Sequence, residues 1–327
     1  MKTHSARQSV LTYFLLLLVS SGLSFFLFMR NPWMESDLTT DSYIWYLEFS
    51  RSIFQPQSAY YAESVLLPLL AKILGLTKTL KLYKEFCGLL TLCILPIVSI
   101  FALRYFQSTI KTIIFIALFG LTFNYFQYYI LGFSDPLTIL LLVSAIFQRR
   151  VLPLFFLLTM AMLSHFSMAV ISVAALLGLV ISSPIINSSN RKHLVMGIVG
   201  AAIAGKLLLV LWYWQFHYQL QGRIDWALGK GYLFFWDRYA SNLEGFWLTP
   251  GALFLVTYGL IMAYFLALRQ FLFVSASIVA LGIAYLALFW TVDGLRVFAV
   301  IIAAPYVYFL TAFIQSISDL LLPKHIS

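Results

Sequence analysis

Two aspartates, Asp37 and Asp41, lie four residues apart in the sequence E-S-D-L-T-T-D-S, directly after the first long apolar run. Side chains four positions apart share one face of a helical turn. A carboxylate there can accept a proton from an attacking hydroxyl, and a pair can hold a divalent cation beside a phosphate. The alternative is helix capping, because Asp41 precedes the run Y-I-W-Y-L. The spacing leaves both interpretations open, and either aspartate as the base.

The segment from Glu35 to Glu63 holds five of the twelve acidic residues of the chain. A membrane protein has no structural need to gather carboxylates in one loop beside the bilayer. We therefore interpret this segment as the cover of an active site that faces away from the cytoplasm.

Two further candidates lie in turns between apolar runs. Asp135 occurs in G-F-S-D-P-L, where it could present a carboxylate from a helix start. The alternative is that Ser134 or Asp135 simply caps a helix with Pro136 in its first turn. His165 occurs in L-S-H-F, inside an apolar stretch. An ionisable group at membrane depth is a functional candidate by default; the alternative is a histidine that hydrogen-bonds a neighbouring helix.

Three cations are candidate ligands for a phosphate or a sugar. Arg296 follows Asp293 in D-G-L-R, so the two can pair, and its guanidinium also suits a phosphate. Lys206 lies near the middle of an apolar run, from which it could snorkel outward or reach into a cavity. Arg238 follows an aromatic run, and a solvated loop role is the favoured interpretation for it.

The composition indicates a polytopic helical membrane protein. Of the 327 residues 62% are apolar and 10% are charged, with a mean hydropathy of +0.92. The net charge of +9 does not indicate nucleic-acid binding, because most basic residues lie in short loops, where they set topology. Walker, HExxH, GxSxG and CxxC motifs are absent from the sequence.

The placement of basic residues predicts about ten spans in one integral membrane domain over residues 1–327, with both termini in the cytoplasm. Ser64–Leu76 is short for a span, and a crossing there would move the basic residues of the later loops to the outer side, so we expect it to lie in the outer interface. The predicted outer loops are residues 30–84, bearing interfacial helices, and residues 215–249.

Val151–Ser182 is too long for one span, and basic residues flank both of its ends. We therefore expect a hairpin or re-entrant pair whose turn lies near Ser164-His165-Phe166.

Four stretches give the chain a resemblance to the GT-C class of polytopic glycosyltransferases. They are E-S-D-L-T-T-D-S-Y-I-W-Y, Y-Y-A-E-S-V-L-L-P-L-L-A-K-I-L-G, G-F-S-D-P-L-T-I-L-L-L and L-S-H-F, within roughly residues 1–180. The resemblance implies an all-α bundle with an acidic motif after the first span. It favours Asp41 as the base, because Asp41 opens the aromatic stretch, although the wider spacing here leaves Asp37 as an alternative.

The resemblance further implies transfer of a sugar from a polyprenyl-phosphate donor to a lipid-linked or cell-surface glycan on the non-cytoplasmic face, with a possible divalent cation. Arg296, Lys206 or the lysines of Lys72–Lys84 would then stabilise the leaving phosphate. The expected location is a bacterial inner membrane, and the partners are the donor, a glycan or glycolipid acceptor and membrane lipids, but no nucleic acid. The rival interpretations are an O-antigen-type polymerase, relying on Arg238, His165 and Arg296, and a lipid or glycan flippase.

Overall fold

The structure is a computed structural model. It describes the following residues: 2–30, 37–57, 60–123, 134–219, 229, 232–248, 251–291 and 294–321.

Within these ranges the chain forms thirteen α-helices, one short 3-10 turn at Tyr60–Glu63, and no strand. The all-α prediction is therefore confirmed. The helices, in chain order, are α1 Lys2–Met29, α2 Asp37–Arg51, α3 Leu66–Ile73, α4 Leu80–Phe106, α5 Thr109–Thr122, α6 Asp135–Ile146, α7 Val151–Ser164, α8 Phe166–Ser182, α9 Ser188–Phe216, α10 Tyr232–Leu248, α11 Gly251–Ala267, α12 Phe271–Trp290 and α13 Gly294–Leu321.

Five of these helices are long and apolar enough to cross a membrane: α1, α4, α9, α12 and α13. A sixth span results if α10 and α11 count as one bent crossing. Helices α5 to α8 are apolar but shorter, between 12 and 17 residues. The chain is thus a multi-pass helical membrane protein, and the expected total of about ten spans depends on how these short helices sit in the bilayer.

Helix α13 forms the centre of the bundle, because 94% of its apolar window is buried. It packs against α5, α6, α8, α10, α11 and α12. Aromatic rings fill the space around it; Tyr306 stacks on Tyr258 with 6.1 Å between ring centroids. The Tyr306 hydroxyl also lies 2.6 Å from Thr122 Oγ1, which fastens α13 to α5.

Helices α7 and α8 form the predicted hairpin, and the break falls at His165, where the sequence placed it. The start of α7 and the end of α8 return to the same place, because Val151 and Val180 line a single cavity there. We call it the basal cavity; its other lining residues include Tyr105, Arg149, Asn187 and Tyr308. The α6–α7 and α8–α9 connections therefore meet at one end of the bundle, together with the basic residues that flank the hairpin, Arg149-Arg150 and Arg191-Lys192.

A second apolar cluster, which we call the cap, lies beyond the opposite end of the hairpin. It consists of α2, α3, the 3-10 turn, the start of α4 and the end of α9, with Tyr46, Leu67, Tyr83 and Leu209 among its buried members. Leu137, two residues after Asp135, belongs to the same cluster. The cap therefore lies over the start of α6.

Hydrogen bonds between distant segments fasten the cap. The Tyr218 hydroxyl donates to the Ile53 carbonyl at 2.6 Å, and the Gln219 amide donates to the Gln57 carbonyl at 2.8 Å. Helix α3 within the cap has eight residues, about 12 Å of helix, which is too short to cross a ~30 Å hydrocarbon core. Helix α3 alone therefore does not cross the membrane, and its place in the outer interface stays a prediction.

Helix α10 was not predicted. It occupies 17 residues of the stretch 215–249 that the sequence analysis treated as a loop. Phe235 and Phe246 are buried on one side, while Asp237, Arg238 and Glu244 are exposed. These polar residues lower the mean hydropathy of the segment, which is why its apolar pattern did not predict a helix.

Candidate functional site

The site is organised around an ion pair between Asp135, in the first turn of α6, and Arg296, in the first turn of α13. Arg296 Nη1 lies 2.8 Å from Asp135 Oδ2, and the side chains are only 7% and 6% exposed. Of the two capping residues that the sequence offered, Ser134 occupies the N-cap position, and the Asp135 carboxylate contacts Arg296. Two helix starts therefore meet at a pair of opposite charges.

This pair is expensive to bury. Removing two charges from water costs several kcal/mol for each ion, and their attraction offsets that cost only in good geometry. Charged residues inside a membrane bundle are rare, and most of them are functional. The position of the pair, at the start of the enclosed helix α13, therefore makes it the leading candidate for a functional centre.

Two hydroxyl groups connect this centre to the α7–α8 hairpin. Ser164 Oγ donates to the Ser134 carbonyl at 3.2 Å, and Thr138 Oγ1 lies 2.9 Å from Ser164 Oγ. All three residues are buried. The turn of the hairpin is thereby fixed against the first turn of α6, which carries Asp135.

His165 separates the two helices of the hairpin. Its backbone is extended, with φ −159° and ψ 92°, and its side chain is 2% exposed. Its amide still donates to the Ala161 carbonyl, and its carbonyl accepts from the Ala169 amide. The break leaves the first N–H groups of α8 without partners inside the helix, so the positive end of the α8 dipole lies in the bundle next to Ser164.

Lys206 on α9 reaches the same hairpin turn. Its Nζ lies 4.7 Å from the centroid of the Phe166 ring, a cation–π distance. The helices approach closely at this point, since a Cβ added to Gly205 would lie 2.4 Å from Met162 Cβ. Lys206 itself is exposed on the surface of the bundle, so it offers a cation beside the buried centre.

These residues lie at one depth. Along α6, Asp135 precedes Ala145 of the basal cavity by ten residues, and along α13, Arg296 precedes Tyr308 of the same cavity by twelve. A helical rise of 1.5 Å places each charge about 15–18 Å along its helix from the named cavity residue. We call Asp135, Arg296, Ser164, His165 and Lys206 the polar layer.

The other sequence candidates do not join this layer in the described part of the chain. Asp37 and Asp41 both lie on α2, which gives them the shared helix that their spacing predicted, although the positions of their side chains fall outside the description. The capping alternative for Asp41 is wrong, because α2 begins at Asp37 and Asp41 lies within the helix. Asp293 is also outside the described residues, whereas Arg296, its expected partner, contacts Asp135. Arg238 is exposed on α10, with its Cζ 5.6 Å from the Phe234 ring centroid.

Asn242 on α10 is a positioning residue that the sequence analysis missed. Its Nδ2 donates to the carbonyls of Leu288 and Thr291 at 3.0 and 3.1 Å, and its Oδ1 accepts from the Gly294 amide at 3.2 Å. A Cβ on Gly294 would lie 2.6 Å from Asn242 Nδ2, so only glycine fits there. These contacts fix the start of α13 and hence Arg296, two residues further on.

Among the residues that the structure describes, no group of three His, Cys, Asp or Glu side chains is placed to hold a metal ion. A divalent cation held by Asp37 and Asp41 stays a hypothesis from the sequence.

The chain matches no protein-family model, no curated protein and no solved structure. The functional interpretation of the candidate site therefore depends on the geometry and chemistry of its residues.

Proposed function

We propose that this protein is an integral membrane glycosyltransferase that moves a sugar from a polyprenyl-phosphate donor to a lipid-linked or cell-surface glycan on the non-cytoplasmic face. The observation that carries the proposal is the polar layer: a buried ion pair, a broken helix and an exposed lysine at one depth of an apolar bundle. The cap lies over the start of α6, and its helix α2 begins with the two aspartates.

In the proposed reaction, one group of residues activates the acceptor and another stabilises the leaving phosphate. The bond between the anomeric carbon and the phosphate oxygen breaks, a bond to the acceptor oxygen forms, and polyprenyl phosphate leaves. Asp41 or Asp37 takes the proton of the acceptor hydroxyl, which makes that oxygen a better nucleophile. In this scheme the base lies on α2, whereas the cations that contact the phosphate, Lys206 and Arg296, lie on α9 and α13.

Lys206 is the first choice for the phosphate, because its amine is exposed on the bundle surface and a lipid donor arrives laterally through the bilayer. Negative charge grows on the leaving phosphate, and a fixed cation stabilises it. The charge of Arg296 is already balanced by Asp135 at 2.8 Å. We therefore assign to the ion pair the task of holding the starts of α6 and α13, with Arg296 as a second phosphate contact.

The test is transfer of radiolabelled sugar from a panel of polyprenyl-phosphate sugars by the purified protein in lipid. We expect Asp41→Ala to abolish transfer, or Asp37→Ala if that residue is the base. Glu48→Gln is the matched control, because Glu48 is an exposed carboxylate on the same helix, α2. Full transfer by both aspartate variants would refute the assignment of the base to α2.

A flippase for a lipid-linked glycan is the second candidate, and one observation favours it. Transporters place broken helices and buried charges at membrane depth, and His165 breaks the α7–α8 hairpin beside the ion pair. A flippase would change the leaflet of a fluorescent donor lipid without cleaving it. Leaflet exchange with no sugar transfer from any donor would replace the transferase proposal with this one.

A further inference from the structure

The basal cavity is remote from the polar layer and has no role in the proposed transfer. The cavity lies between the last residues of α4, α6 and α8, the first residues of α7 and α9, and the second half of α13. Its volume is about 710 Å³. Ligand sites in proteins commonly measure about 300–1,000 Å³, so the cavity is large enough to hold an organic molecule.

The rim of the cavity is basic. Arg149, Arg150 and His193 line it, and none of the described residues that line it is acidic. The Arg149 guanidinium is fixed in place, because its Nη2 donates to the Tyr105 carbonyl at 2.5 Å and its Cζ lies 5.4 Å from the Tyr105 ring centroid. A rim of positive charge without a carboxylate selects an anion.

A third arginine, Arg191, stabilises the rim without lining it. Arg191 Nη2 donates to the carbonyls of Ser183 and Ile186 at 2.7 and 3.0 Å. Asn187 begins α9 by accepting a hydrogen bond from the Asn190 amide at 2.9 Å. The α8–α9 connection, which forms one side of the cavity, is thus held in a defined conformation.

The wall below the rim is apolar. Leu154, Leu176, Val180 and Ile198 line it, and each is buried against the bundle core. A small inorganic anion would contact only the rim, whereas a molecule with a charged head and a hydrocarbon part would contact both surfaces. The lining therefore matches an anionic amphiphile.

We propose that the basal cavity binds the phosphate of an anionic phospholipid, with the start of an acyl chain against the apolar wall. Basic pockets between helices on the cytoplasmic side of membrane proteins recognise anionic head groups, and the distribution of basic residues predicts that this end faces the cytoplasm. The inference goes beyond the proposed transferase reaction and does not depend on it.

The test measures lipid binding to the purified full-length protein by native mass spectrometry, with no sugar donor present. The probes are phosphatidylglycerol, zwitterionic phosphatidylcholine and soluble glycerol phosphate. We expect phosphatidylglycerol to bind in preference to the other two. Replacing both rim arginines (Arg149→Gln with Arg150→Gln) should weaken this binding by on the order of fivefold for each charge removed.

The matched control removes two charges at the same end but outside the cavity, with Arg104→Gln and Lys192→Gln, and should leave the affinity unchanged. Because Arg149 also bonds Tyr105, Arg150→Gln alone provides a variant in which that contact is kept. Leu194→Trp places a larger side chain in the cavity lining and keeps every charge; it should also weaken lipid binding.

Three results would overturn the proposal. They are equal binding of phosphatidylglycerol and phosphatidylcholine, equal effects of the rim and control substitutions, and undiminished lipid binding by Leu194→Trp. Glycerol phosphate that binds as tightly as the lipid would instead identify a site for a soluble phosphate ester. A failure of sugar transfer has no bearing on any of these measurements.

Discussion

Asp135 and Arg296 are separated by 161 residues along the chain, yet their side chains meet at 2.8 Å in the interior of the bundle. The contact joins the first turn of α6 to the first turn of the central helix α13. It therefore links the half of the chain with the acidic motif to the half with the last helix, and it fixes both at one depth.

Breaking this pair on one side should destabilise the protein strongly. Asp135→Leu or Arg296→Met leaves an uncompensated buried charge, at a cost of about 3–5 kcal/mol. The double variant removes both charges, so we expect its Tm in detergent to lie above that of either single variant. Glu85→Gln, in the exposed pair with Lys81 at 3.9 Å, is the control and should not change the Tm. If the losses of stability in the two single variants simply add up in the double variant, the two charges are not energetically coupled.

Lys206 should contribute to donor binding through its charge. A hydrogen bond to a charged group contributes about 1.5–3 kcal/mol, so Lys206→Gln should raise the KM for the polyprenyl-phosphate sugar by roughly tenfold or more. Lys206→Arg should keep most of the affinity. Lys192→Gln, an exposed lysine near the other end of α9, is the matched control. A KM for Lys206→Gln equal to that of Lys192→Gln would remove this residue from the site.

The contact between Asn242 and Gly294 should control the start of α13. Gly294→Ala places a Cβ 2.6 Å from Asn242 Nδ2 and 2.8 Å from Leu288 Cα, so we expect a lower Tm. The loss should be smaller when Asn242→Ala is also present, because one of the two clashes is then relieved. Gly282→Ala on α12 is the control, since no atom lies within 4 Å of its added Cβ. An equal loss in both backgrounds would show that Asn242 does not restrain this position.

Tyr218 should stabilise the cap only while its hydroxyl is protonated. Burial raises the pKa of Tyr218 above its usual value near 10, so the folded state holds this proton more tightly than the unfolded state does. Its stabilising effect is then complete below about pH 10 and declines as the pH rises further. Tyr218→Phe loses the bond to the Ile53 carbonyl, a change of about 1 kcal/mol at neutral pH.

Thermal unfolding of wild type and Tyr218→Phe, compared from pH 7 upward, checks this. We expect the difference in stability to shrink above pH 10. A difference that stays constant across that range would mean that the hydroxyl proton is not involved.

The hairpin break was predictable because two independent constraints agreed on it. Val151–Ser182 exceeds the length of one span, and basic residues flank both of its ends, so the chain must turn back between them. Ser164-His165-Phe166 was the polar interruption available, and His165 does separate α7 from α8. Length and charge are properties of the sequence itself, which is why this element could be located.

The pairing of Arg296 could not be predicted in the same way. Sequence patterns report neighbours within a few residues, and they suggested Asp293, three positions away. The contact with Asp135 depends on how α6 packs against α13, and the contacts of Asn242 depend on a helix whose polar residues resembled a loop. Both relationships arise from packing over long separations, for which a single sequence carries no local signal.

The central position of α13 affects the order in which the helices of the bundle can pack during synthesis. This helix is the last of the described spans to be synthesised, yet it occupies the middle of the bundle, with 94% of its apolar window covered. Until this helix is inserted, the earlier helices lack the surface around which they pack, and Asp135 lacks the guanidinium of Arg296. A chain that stopped before Gly294 would leave the Asp135 carboxylate in an apolar bundle without its partner, which is unfavourable.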